Sequence, residues 1–201
     1  MKKIIHDSII LTVLTLVLGF LLGMVYDITK KPIEDAEYAA SQEAYSEVFK
    51  EASKFDPMED FDAEKANAFV SGRGYKDSID DVELAYDSSK NVIGYVITVT
   101  AKDASQDVIT FSVGIKNDGT VNGYSITAIA ETPGLGMKAA DESFSSQFEG
   151  KAVSSFSVVK QAASSDEEIE AISGATITSK AVANGVNAAK AYFEEFLTGG
   201  E

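Results

Sequence analysis

The 201-residue chain has no cysteine, no tryptophan and a single histidine, His6. Without cysteine there can be no disulfide, thiolate-ligated zinc, iron–sulfur cluster or thioether-attached haem. One histidine near the N-terminus removes most transition-metal sites and any Ser-His-Asp triad from the body of the chain. No metal site and no catalytic side chain is expected. Positive charge is also scarce, with 17 Lys+Arg against 32 Asp+Glu and a formal net charge of -15. Such a field excludes nucleic acid as a partner, because phosphate backbones need a positive surface.

The charge is unevenly placed. Residues 1–31 carry Lys2, Lys3, Lys30 and Lys31 against Asp7 and Asp27, a net of +2, which leaves residues 32–201 at -17. Between the two charged flanks, Ser8 to Tyr26 is a run of 19 uncharged residues, SIILTVLTLVLGFLLGMVY. At about 1.5 Å per residue it reaches about 28 Å, the thickness of a hydrocarbon core. Its apolar residues occur all round, as in a lipid-embedded helix. A cleaved signal peptide has a shorter apolar region, about 7–15 residues, and a small-residue cleavage site that is absent here. The stretch therefore reads as an uncleaved, single-pass anchor. Lys2 and Lys3 favour a cytoplasmic N-terminus, with the C-terminal domain extracytoplasmic. His6 reads as interfacial, and Gly19/Gly23 form a G-x-x-x-G pair that permits close helix approach. The chain divides into 1–31, stub and anchor, and 32–201, an extracytoplasmic domain.

Pro32 is expected to open a helix over PIEDAEYAASQEAYSEVFKEAS, with Tyr38, Ala44, Tyr45, Val48 and Phe49 as its apolar stripe. Residues 55–77 carry mixed signals and stay unassigned. VELAY (82–86), VIGYVITVTA (92–101), VITFSVGI (108–115) and VNGYSITAIA (121–130) read as strands, with a hairpin turn at Asn117-Asp118-Gly119. A short helix around Asp141–Phe148, a strand at Ser155–Lys160, a solvated acidic loop at 164–170 and a helix from about Ser179 to Leu197 follow. Tyr75, Phe111, Tyr124 and Phe144 read as core. Short connections make the sheet mainly antiparallel, and flanking helices make the fold α+β.

Two stretches differ from scaffold. Ser173-Gly174-Ala175-Thr176-Ile177-Thr178-Ser179 places four hydroxyls and a glycine before the last helix. It suits an anion held by free backbone amides; the alternative is a plain Ser/Thr cap. Glu131-Thr132-Pro133-Gly134-Leu135-Gly136 follows a strand and forces a tight loop that a ligand could approach; the alternative is an ordinary turn. Leu135 at its tip could lie against a flat aromatic ligand.

On ETPGLG at 131–136, SGAT at 173–176 and the anchor, the chain resembles the FMN-binding domain family that includes the G component of the Rnf ion-translocating oxidoreductase. The C component of the sodium-pumping NADH:quinone reductase is related. The resemblance implies FMN esterified through its phosphate to Thr176 by a dedicated flavin transferase. It places Ser173, Gly174, Ala175 and Thr178 around the attachment point, and Glu131, Thr132, Gly134 and Leu135 near the flavin. The family has Asp six residues before the modified Thr, where this chain has Glu170. FMN would supply redox chemistry that this composition cannot otherwise host.

The function so implied is electron transfer within a membrane complex that couples ferredoxin:NAD electron transfer to Na⁺ or H⁺ translocation. The chain would be one component of that translocase, without independent catalytic activity. Its partners would be the other subunits, the flavin transferase during maturation and the lipid bilayer. The alternatives are the C component of the quinone reductase, to which the overall length is less suited, and a non-redox, membrane-anchored binding or assembly module.

Overall fold

The computed structural model describes residues 2–198; the side chain of Lys2, one of the two lysines used to orient the anchor, lies outside the described residues. The chain forms two compact units, Met1–Ala40 and Ser41–Glu201.

Helix α1 runs Lys2–Val48 without interruption. Its N-terminal part is long and apolar enough to cross a membrane, and its large apolar side chains are exposed. The threonines within it are satisfied locally: Thr12 and Thr29 donate to the carbonyls of Ser8 and Val25, both at 2.9 Å. A hydroxyl bonded back to the preceding turn presents little unmet polarity to an apolar medium. Pro32 does not open a helix, as the sequence suggested, but lies inside this one. A proline removes one donor, here the bond to the carbonyl of Ile28, and the ladder continues on either side. Tyr38, expected on the apolar stripe, is exposed.

The second unit is built on a five-stranded antiparallel meander in sequence order. Its strands are β1 Lys54–Pro57, β2 Ser78–Tyr86, β3 Val92–Ala101, β4 Ile109–Lys116 and β5 Val121–Ile129. The unassigned region thus contributes β1 and helix α2 Ala63–Gly72, whose start is fixed by Asp62 accepting from the Lys65 amide at 3.0 Å. After β5 come a 3₁₀ turn, Gly136–Ala140, the short helix α3, Glu142–Ser145, and a second 3₁₀ turn, Ser146–Phe148. Strands β6 Ser157–Val159 and β7 Glu168–Glu170 then pair in parallel. The acidic loop expected at 164–170 therefore ends as a strand. Fully buried Ile169 between two glutamates supplies the alternation, and Glu168 accepts from the amide and hydroxyl of Ser164 at 2.8 and 2.7 Å. Helix α4, Thr176–Phe196, closes the fold.

One sheet face packs against α4 and α2 around Val99, Phe111, Val113, Val182, Val186 and Phe193. Phe111, Tyr124 and Phe148 pack ring against ring at 5.5 and 5.3 Å between centroids, which bears out Phe111 and Tyr124 as core. The opposite face receives Tyr45 and Val48 from the end of α1, and Phe49 just after it, over Ala85 and Val96. That approach is possible because residue 94 is glycine: a Cβ there would stand 2.5 Å from both the Ile115 carbonyl oxygen and Phe49 Cζ. Gly94→Ala should cost about 2–4 kcal/mol. The measurement is a urea midpoint of the detergent-solubilised chain, and a loss below about 0.5 kcal/mol would contradict this packing.

The same face carries Glu83, 8% exposed. Burial, with the charges of Asp81 and Asp56 beside it, pushes its carboxyl up from 4.5 to about 7. Folding thus favours the protonated acid, so its stabilising contribution is complete below 4.5 and is lost as pH rises through 7. Stability should fall by about 2 kcal/mol from about pH 5 to about pH 8, and Glu83→Gln should flatten the decline. An unchanged slope in the variant would place the titration elsewhere.

Candidate functional site

The position of α4 is set by close packing. Gly185 lets Phe111 approach, since a Cβ there would lie 2.6 Å from its Cζ. Asn187 grips the backbone of Phe156 on both sides, accepting from its amide at 2.7 Å and donating to its carbonyl at 2.8 Å. A helix held this firmly presents its first turn at a fixed place.

That first turn is uncapped. The N-cap residue is Ala175, with φ -131° and ψ 41°, and no side chain caps the helix. The first backbone bond into the cap is from the Ser179 amide to the Ala175 carbonyl at 3.0 Å. The amides of Thr176, Ile177 and Thr178 have no acceptor within the helix. The plain Ser/Thr cap that the sequence allowed is therefore not what this segment forms.

The four hydroxyls separate into two kinds. Ser179 is fully buried; its Oγ donates to the Ala175 carbonyl at 2.9 Å and accepts from the Ile172 amide at 3.0 Å. Thr178, 1% exposed, donates to Glu131 Oε2 at 3.1 Å. Both are spent on structure. Ser173 is exposed and Thr176 half-buried. Of the four, Thr176 alone combines an uncommitted hydroxyl with a place in the first turn of α4.

Glu131 is 5% exposed and ties three segments together. Its Oε1 accepts from the amides of Ser105 and Gln106 at 2.7 and 3.1 Å, while Oε2 takes the Thr178 hydroxyl. Beyond it the loop turns tightly: Gly134 has φ +77°, and the Thr132 carbonyl accepts from the Leu135 and Met137 amides at 3.1 and 3.3 Å. A Cβ on Gly136 would collide with the Glu131 carboxylate and stand 2.8 Å from Thr178 Oγ1. Gly174, at φ +78°, faces Leu135 Cδ2, which would lie 3.1 Å from a Cβ placed there. The two loops that stood out in the sequence are thus in mutual contact.

They enclose a cavity of about 270 Å³ lined by Glu131, Thr132, Leu135, Gly174, Thr176 and Thr178 among others. Ala175 also faces it. Of the candidates read from the sequence, Ser173 instead lines a neighbouring cavity of about 570 Å³ with Lys138, Phe144, Gln147 and Glu170, and Gly134 shapes the turn. Sequence reading gave Ser105 no role and named Gly136 and Ile177 only as members of the two stretches, yet all three line the smaller cavity. Ile177 carried a signal, as an apolar residue among hydroxyls; Ser105 had none, because its role exists only through Glu131. In the second unit, the exposed large apolar side chains among the described residues are Val108, Leu135, Met137 and Ile177. Leu135 and Ile177 border this cavity, and Met137 follows Gly136.

Comparison with known proteins falls on the same segments. A family model described as FMN-binding domain matches residues 105–191, from Ser105 through most of α4. The chain is 31% identical over 195 residues to the G component of the ion-translocating oxidoreductase complex of Methanosarcina acetivorans, covering 95% of both chains. It is also 31% identical over 188 residues to the G component of the Na⁺-translocating ferredoxin:NAD⁺ oxidoreductase complex of Acetobacterium woodii, covering 92% of this chain and 89% of that one. Among solved structures, the C component of the Na⁺-translocating NADH-quinone reductase of Parabacteroides distasonis shares the fold, with a TM-score of 0.53, 19% identity, and coverage of 75% of this chain and 80% of that one.

Proposed function

The chain belongs to the family formed by the G component of ion-translocating oxidoreductase complexes, and on that premise we propose that it is a membrane-anchored electron-transfer subunit carrying FMN as a phosphoester on Thr176. The observation that carries this reading is the start of α4, where an uncommitted threonine hydroxyl stands beside amides with no acceptor. A phosphodiester on Thr176 Oγ1 keeps one negative charge, which those amides and the positive end of the helix dipole offset in a strongly acidic domain.

The residues fit the group. Thr176 would hold the phosphate, Gly174 and Ala175 leave the backbone open beside it, and Leu135 and Ile177 offer apolar surface to a flat ring. Glu131, saturated by two amides and a hydroxyl, acts as the strut that holds the cavity wall. Ser173 and Thr132 contribute to the rims, and Gly134 gives the loop its turn. When bound, FMN supplies one- and two-electron chemistry that no side chain of this protein provides. The chain's own residues bind it, orient it and keep it attached.

Residues 1–31 then serve as cytoplasmic stub and lipid-embedded anchor, with 32–201 as the extracytoplasmic FMN domain. Other subunits of the complex are its electron partners, and a flavin transferase installs the cofactor. The complex so served couples electron transfer between ferredoxin and NAD to translocation of Na⁺ or H⁺. The test is an intact mass spectrum of protein made alongside a flavin transferase. A mass raised by one FMN less a water is expected, and an unmodified mass in colourless protein would overturn the reading.

A further inference from the structure

Away from the flavin cavity, one end of the sheet holds a pair of acids. Asp77 lies just before β2 and Asp103 just after β3, strands whose register pairs Ser78 with Thr100. The two aspartates therefore come to the same sheet end, and Asp103 is the charged group that acts most strongly on Asp77. Asp77 is 4% exposed, and neither of its carboxylate oxygens has a hydrogen-bond donor. Burial, and then the Asp103 charge, push its carboxyl up to about 6, against a smaller opposing pull from the nearby backbone amides of Lys102 and of Asp77 itself. Asp103 Oδ1 is likewise buried without a partner, while Asp103 Oδ2 takes the side-chain amide of Asn184 on α4 at 3.0 Å. The Lys102 side chain is exposed, and no salt bridge reaches either acid among the described residues.

Buried polar atoms are paired almost without exception, and buried charge without a partner is strongly unfavourable. Three such oxygens from two carboxylates, with no cation paired to them among the described residues, are of the kind that a hard metal ion takes. We propose that Asp77 and Asp103 are the carboxylate ligands of a divalent, oxygen-ligated cation of the calcium or magnesium class, bound between β2, the β3–β4 loop and α4. Two acids match a double positive charge, and the absence of imidazole and thiolate excludes the softer metals. The site differs from the flavin cavity but bears on it. The loop that carries Asp103 also supplies the Ser105 and Gln106 amides to Glu131, so an ion held there braces the same wall.

The experiment uses the full chain in detergent, stripped with a chelator and titrated with CaCl₂, MgCl₂ or NaCl while the thermal midpoint is followed. A rise of about 5 °C at a hundredfold excess over Kd is expected with Ca²⁺ or Mg²⁺. It should vanish in Asp77→Asn and in Asp103→Asn, both of which relieve charge and should fold without the ion. Terbium luminescence sensitised by Tyr75, a residue whose phenol feels the Asp77 charge, gives a readout independent of stability. An absent divalent effect, an equal effect from NaCl, or a shift that survives in both variants would each overturn the proposal.

Discussion

Thr176→Ala is expected to leave a folded protein with no covalent flavin. The side chain is half-buried and makes no hydrogen bond among the described residues, and alanine is a better helix former, so stability should change by no more than about 0.5 kcal/mol. In-gel flavin fluorescence and the mass increment should both disappear. Thr176→Ser keeps a hydroxyl at the same point and should keep some attachment. Thr178→Val supplies the contrast. It removes the bond to Glu131 and should cost about 1–2 kcal/mol, yet leave the flavin in place. Fluorescence retained in Thr176→Ala and lost in Ser173→Ala would move the attachment to the exposed serine and away from the first turn of α4.

Glu131→Ala should produce the largest loss of stability at the site, about 3–5 kcal/mol. Two amides and a threonine hydroxyl lose their acceptor together, in a place that water reaches poorly. Glu131→Gln is the informative partner. Its remaining carbonyl oxygen can still accept from Ser105 and Gln106, and its amide can donate to Thr178 if the hydroxyl reverses, so about 1 kcal/mol should be lost. Urea unfolding of both variants gives the comparison. The alanine variant should also take up flavin poorly even though Thr176 is intact, because the cavity wall that faces Thr176 has lost its tie. A Glu131→Ala protein within about 1 kcal/mol of the parent would show that the three segments are held by something else.

The strands were legible because their alternation is strong and their turns are short. The segment VIGYVITVTA became β3 at its stated limits, Val92–Ala101. Asn117-Asp118-Gly119 turned where it should, with Gly119 at φ +82°. Helix ends were harder. Asp62 caps α2 plainly once seen, but the apolar face of that helix is little more than Ala66 and Val70. The apparent restart at Pro32 was misleading because one missing bond does not outweigh a helix already running on both sides. Strand β7 escaped notice because a single buried isoleucine among acids carries it.

At the site, the sequence marked both loops and the hydroxyl cluster but could not distribute roles within them. Thr178 and Ser179 look like Thr176 on paper; only in the fold do they differ, Thr178 bonding to Glu131 and Ser179 to the Ile172–Ala175 backbone, while Thr176 bonds to neither. Glu131 itself read as a residue facing the ligand. Its saturation by amides from residues 105 and 106 depends on a contact across the fold that no local pattern encodes.

The bare start of α4 has one more consequence. Ala175 is 7% exposed and sits in the apolar core, so the first amides of α4 go without the roughly 1 kcal/mol that a Ser, Asp or Asn cap supplies at an ordinary helix start. Those amides are left unmet at the start of a helix that is otherwise closely packed. Locally the fold is frustrated there, with a rigid frame and an unmet electrostatic demand at its edge. With FMN on Thr176 as proposed, the phosphate would accept from these amides and complete the helix, which would tie maturation of the cofactor to the final folding of this corner.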